Sequence, residues 1–124
     1  MTKKIPYVNL IKQSREEKKE IFKALNKIFS SSEFILGKEV EIFEKNIKKY
    51  LNVKHCIALN SGTDALTIGL HLLGVKKGDE VITPPNSFIA SAASIVHLGA
   101  IPIFCDIKYD QNIDPEEIKK KITR

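Results

Sequence analysis

Asn60-Ser61-Gly62-Thr63-Asp64-Ala65-Leu66, residues 60–66, reads as a tight passage from a strand into a helix. Ahead of it, His55-Cys56-Ile57-Ala58-Leu59 is a short apolar run with the pattern of a buried strand. Behind it, Leu66, Gly69, Leu70 and Leu73 recur at the spacing of one helix face. Ser61 is placed to cap that helix, with Asp64 three residues on in the capping-box position. Gly62 removes a side chain where the backbone turns, so an anion can approach the free amides. Those amides and the helix dipole attract a phosphate. A well-capped helix with nothing bound is the plain alternative that this turn leaves open.

The chain has 124 residues, enough for one ordinary domain, and is 43% hydrophobic and 28% charged, a globular composition. Its net charge is +5, but lysines alternate with acidic residues along helical faces. That pattern reads as a solvated surface, and no aromatic residues interleave with the basic ones as a single-strand binder requires, so no nucleic acid is expected. Cys56 and Cys105 both sit in apolar strand-like runs without CxxC spacing. They are expected to be buried, reduced thiols, with no metal site and no disulfide framework. The N-terminus is too polar and short for a signal peptide, and no apolar run reaches spanning length. A cytoplasmic protein with no membrane partner is expected.

Residues 1–12 read as an extended arm, with Pro6 discouraging helix at Ile5. Ser14 and Glu17 form a second capping box, opening a helix with an apolar stripe of Ile21, Leu25, Ile28 and Phe29 that Ser30-Ser31-Ser32 ends. A helix over 38–51 follows, with Val40, Phe43, Ile47 and Tyr50 inward. Beyond residue 60 the pattern predicts strands at Glu80–Thr83 and Ile101–Cys105, with a helix from Phe88 to Leu98 between them. Asp114-Pro115-Glu116-Glu117 opens a last helix, by its cap, N1 proline and early acidic pair.

Strand, helix, strand, helix, strand implies parallel strands in an α/β sheet, with ligands at their carboxyl ends. Ser61-Gly62-Thr63, Pro84 to Phe88, and Asp106 all fall at that edge. The helix from Thr63 to Leu73 is apolar nearly all round, which belongs inside a larger structure.

The run FILGKEVEIFEKNIKKYLNVKHCIALNSGTDALTIGLHLLGVKKGDEVITPPNSFIASAASIVHLGAIPIFCDI, residues 34–107, followed by NIDPEEI at 112–118, closely resembles the DegT/DnrJ sugar aminotransferases. The likeness extends from Pro6 to Thr123 in the family's order and spacing. It implies the N-terminal part of the aspartate-aminotransferase-like large domain (fold type I, PLP). There, parallel βαβ units are preceded by two helices: 1–52 the arm and helices, 53–124 the start of the cofactor-binding domain, with an incomplete sheet. It implies pyridoxal 5'-phosphate as cofactor, with Gly62 and Thr63 at the positions that hold its phosphate. Phe88 matches the aromatic position that stacks on the pyridine ring; on pattern alone Phe88 is a core residue. Gly37 falls in the family's FxxG segment near the substrate entrance, where its plain reading is a turn before a helix. Asp64 and Asp106 inherit no catalytic role, and His55, His71 and His97 stand isolated.

The resemblance further implies a nucleotide-linked keto sugar as substrate, in cell-surface polysaccharide or amino-sugar biosynthesis. It implies glutamate as amino donor, and homodimers of the complete enzyme. The family's Schiff-base lysine, and the aspartate that pairs with the pyridine nitrogen, would both fall beyond Arg124. No residue of this chain is therefore assigned a catalytic role, and the chain by itself is expected to be inactive. In the resembling fold, later strands separate His55–Leu59 from the other two, so the isolated chain is expected to be poorly stable. A non-catalytic remnant of a truncated or split gene, at most binding a partner fragment, is the competing reading. An unrelated nucleotide-binding βαβ module is disfavoured, since neither GxGxxG nor GxxxxGK[ST] occurs at the turn.

Overall fold

The computed structural model describes residues 5–123; the first four residues of the expected arm lie outside them. The chain divides into two compact units, the first ending at Ala58 and the second beginning at Leu59.

The first unit is built from two helices, α1 (Leu10–Ser31) and α2 (Lys38–Leu51). α1 starts four residues before the expected Ser14, so the arm is shorter than the sequence suggested. Asn9 takes the cap, its side-chain oxygen accepting from the Lys12 amide at 3.0 Å, and asparagine is among the strongest N-cap residues. Ser32 ends the helix in the left-handed region, its amide donating to the Ile28 carbonyl at 2.9 Å. Gly37 leads into α2, and a Cβ there would sit 2.7 Å from the Glu33 carbonyl oxygen. This close approach is why glycine stands at 37 on structural grounds alone.

No residue of α1 or α2 is buried. Ile28, Val40 and Ile47 are half-buried, whereas Tyr50, expected to face inward, is 84% exposed. An amphipathic stripe sets which face a helix would bury, and how much is buried depends on what packs there. Lys27 and Glu39 tie α1 to α2 at 2.6 Å, both largely exposed, a pair contributing at most about 1 kcal/mol. Phe29 and Phe34 meet edge to face with ring centroids 5.8 Å apart.

The strand expected at His55–Leu59 is absent. The segment is irregular, Ile57 is 77% exposed, and the Ala58 amide donates to the Glu44 carboxylate at 2.8 Å in place of a ladder bond. A strand exists only when a neighbour accepts its hydrogen bonds, and none of the described residues does so here. Cys56 is accordingly half-exposed and only Cys105 is buried; both are free thiols.

The second unit runs α3 (Gly62–Leu72), β1 (Glu80–Thr83), α4 (Ala90–His97), β2 (Ile101–Phe104) and α5 (Pro115–Lys121). β1 and β2 pair in parallel, Glu80 against Ile101 through Thr83 against Phe104, with α4 as the crossover. Gly74 and Gly78, both at φ 90°, turn the chain out of α3 and into β1. α4 begins two residues later than expected because Phe88 and Ile89 form its lead-in turn, the Ser91 amide donating to the Phe88 carbonyl. Ile95 (1% exposed), Ser94 and Cys105 are the deepest side chains, with Ala90, Ala100 and Thr83 around them. α4 packs on both strands and on α3. No residue of α3 is buried, and Leu72 and Leu73 are about four-fifths exposed.

Candidate functional site

Ser61 caps α3 as the sequence predicts. Its hydroxyl oxygen accepts from the Asp64 amide at 3.1 Å, and the hydroxyl donates to the Asp64 carboxylate at 2.8 Å. The Asp64 amide is thereby satisfied and its carboxylate occupied. The Ala65 amide turns back to the Ser61 carbonyl. Gly62 and Thr63 are left as first-turn amides without an acceptor among the described residues. Nothing lies within 4 Å of where a Gly62 Cβ would be, so no side chain from elsewhere crowds that position.

The Ser94 hydroxyl donates to the Thr63 carbonyl at 3.3 Å, pinning the start of α3 to α4. Phe88 lies in the turn that leads into α4, two residues before the helix begins. The start of α3 is therefore tied to the helix into which the Phe88 segment leads. Phe88 is 76% exposed. It is not a core residue of this chain, as its pattern alone would have it. Asp106 lies at the carboxyl end of β2, exposed, its carbonyl accepting from the Asp114 amide.

The donor set fits a phosphate ester attached to a flat ring: unpaired N–H groups and a threonine hydroxyl at the positive end of an eleven-residue helix, with an exposed aromatic nearby. The Cys105 thiol is pushed up by burial and then by the carboxylates of Glu117, Asp114 and Asp106, which keeps it protonated and unreactive. No group of residues that could hold a metal occurs among those described, and no described helix is long and apolar enough to cross a membrane.

One contact lay outside the reach of the sequence: Asn86, in the loop before Phe88, donates its side-chain amide to Gln111 at 2.9 Å. The two are 25 residues apart, and nothing in their spacing announces the pair.

A family model described as the DegT/DnrJ/EryC1/StrS aminotransferase family matches residues 15–124. The dTDP-3-amino-3,6-dideoxy-alpha-D-galactopyranose transaminase of Aneurinibacillus thermoaerophilus is 39% identical over 120 residues, covering 96% of this chain and 33% of that protein. The pleiotropic regulatory protein of Geobacillus stearothermophilus is 41% identical over 120 residues, covering 96% of this chain and 32% of that protein. Among solved structures, NtdA from Bacillus subtilis with bound cofactor PMP matches with a TM-score of 0.91 at 37% identity, over 99% of this chain and 29% of that one. The chain thus spans about a third of the length of the curated relatives it matches.

Proposed function

Because the chain belongs to the DegT/DnrJ/EryC1/StrS aminotransferase family, we propose that it is the N-terminal part of a pyridoxal-phosphate aminotransferase acting on a nucleotide-linked keto sugar. Its fold is the α/β, fold type I class of its structural relatives. The observation that carries the reading is the pair of unpaired amides at Gly62 and Thr63, open to a phosphate, in a chain of this family. Gly62 and Thr63 hold the phosphate, and Phe88 stacks on the ring, adding about 1 kcal/mol beyond simple burial. Bound there, pyridoxal phosphate supplies the electron sink for transamination. Glutamate as donor, a homodimer of the complete enzyme and the cytoplasm as its compartment complete the proposal. They rest on the family alone. No lysine of this chain is assigned the covalent role, and the chain alone is a binding half-site.

The test is an absorbance titration of the purified chain with pyridoxal phosphate in competition with inorganic phosphate, then borohydride reduction and peptide mapping. Weak, phosphate-competed binding without one preferred lysine supports the half-site. Attachment at one specific lysine overturns the assignment of no catalytic residue, and binding that phosphate does not compete with overturns the role of Gly62 and Thr63.

A further inference from the structure

The segment between β2 and α5 is a small hairpin. Ile107 and Ile113 form an antiparallel bridge, the Lys108 amide donates to the Asn112 carbonyl at 2.8 Å, and the Gln111 amide donates to the Lys108 carbonyl at 2.9 Å. Gln111 stands at φ 69°. This is a turn whose left-handed position glycine ordinarily fills, and a glutamine there is held against the preference of an L side chain. Backbone held in a disfavoured region invites a search for what the side chain does.

The Gln111 side chain is fixed at both ends of its amide. Its Nε2 donates to the Tyr109 carbonyl at 3.4 Å, leaving Oε1 to accept from Asn86 Nδ2 at 2.9 Å. Asn86 belongs to the loop of residues 84–89 that joins β1 to α4 and carries Phe88. The other hydrogen bonds of that loop, among the described residues, are local to the start of α4: Ser87 to Ser91, Ser91 to Phe88 and Ala93 to Ile89. The Asn86–Gln111 bond is therefore its single long-range tie. It closes across the carboxyl edge of the β1–β2 pair.

We infer that Gln111 is a positioning residue: through Asn86 it holds the β1–α4 loop so that the Phe88 ring stays a fixed platform for the cofactor ring. The inference rests on the proposed cofactor role of Phe88. It accounts for glutamine where glycine would relax the turn, since glycine cannot reach Asn86.

The experiment uses the full chain and pyridoxamine phosphate, which has no aldehyde to react with surface lysines. Binding is followed by the fluorescence of the probe, and loop order by amide hydrogen exchange without any ligand. Gln111→Gly removes the tie while relieving the backbone, so the melting temperature holds or rises. Exchange at Ser91 and Ala93, whose amides donate to the loop's Phe88 and Ile89 carbonyls, quickens and the dissociation constant rises, each about five-fold, the size of one lost hydrogen bond. Asn86→Ala reproduces both changes, the double variant adds nothing further, and Gln111→Glu, which keeps the acceptor oxygen, restores the loop. Unchanged exchange in Gln111→Gly overturns the tie. Faster exchange with unchanged binding, where Phe88→Ala does weaken binding, overturns the positioning role and leaves the proposed function standing. Binding indifferent to both Phe88→Ala and Gly62→Val, or no binding to the unaltered chain, overturns the proposed function and the inference with it.

Discussion

The two units are held by different kinds of interaction. In the first, helices α1 and α2 are set by caps, by period and by one exposed ion pair between the helices, and no side chain on either is buried. In the second, elements far apart in sequence meet around Ile95, Ser94 and Cys105. The first shows what local sequence achieves by itself; the second shows what requires contact across the chain. The sharpest way to break this contrast is a pair of truncations. Ile95→Ala, at 1% exposure, should cost about 2–4 kcal/mol through lost burial and the cavity left behind. Leu25→Ala, at 42% exposure, should cost about 1 kcal/mol or less. Denaturant unfolding followed by residue-resolved hydrogen exchange measures both, and equal losses would show that the first unit has a core of its own.

Two glycines sharpen the contrast next. A Cβ at Gly37 meets the Glu33 carbonyl at 2.7 Å, so Gly37→Ala forces the backbone before α2 to shift and should cost about 1–3 kcal/mol. Gly62 has open space around it and lies in helical backbone. Gly62→Ala should therefore leave stability unchanged or raise it by about 0.5 kcal/mol. If Gly62→Ala destabilises as much as Gly37→Ala, then position 62 is glycine for the fold and its anion-binding role loses its support.

Caps come third. Ser61→Ala removes both bonds at the start of α3, and Asn9→Ala removes the one at the start of α1. Each should cost about 1 kcal/mol. The Ser61 loss should appear as faster exchange in α3 and, through the Ser94–Thr63 bond, in α4; the Asn9 loss should stay within α1. Spread of the Asn9 effect beyond α1 would remove the distinction between a local and a long-range unit.

The same distinction explains how much was legible. Ser61 with Asp64, the N1 proline at 115 and the left-handed stops at Gly74 and Gly78 act over three or four residues, and the sequence carries them in full. β1 was readable because its whole run, Glu80–Thr83, is bounded by Gly78-Asp79 and Pro84. His55–Leu59 has an equally good strand pattern and forms none, because pairing depends on a neighbour that pattern cannot supply. Ser14 and Glu17 make a proper capping box in the interior of α1; Asn9, reading as part of an arm after Pro6, took the cap. Gly62 and Thr63 were visible from helix-terminus physics. The platform role proposed for Phe88 rests on family resemblance, since an aromatic in an alanine-rich segment reads as core until its exposure is known. The Asn86–Gln111 tie is a product of tertiary geometry alone.

The smallest effect concerns a part of the second unit built from bonds close in sequence, the hairpin at 107–113. Asp110 accepts from the Asn112 amide at 3.0 Å, and this bond, aided by the nearby Lys108 ammonium, holds its carboxyl below the usual carboxylate range. A group whose pKa is lowered by folding stabilises the folded form above its unfolded pKa. That contribution is lost as pH falls through the folded value. The hairpin should therefore hold at neutral pH and loosen in acid. Because Asp110 is exposed, the loss should be confined to the turn rather than unfold the unit. An NMR titration should place the Asp110 midpoint below that of an ordinary aspartate, with protection of the Asn112 amide falling over the same pH window. Asn112→Pro, which deletes the donor, should return the midpoint to the ordinary range. An ordinary midpoint in the unaltered chain would mean that the Asp110–Asn112 bond is not held in solution. The hairpin would then rest on the Ile107–Ile113 bridge and on the long-range reach of Gln111 to Asn86.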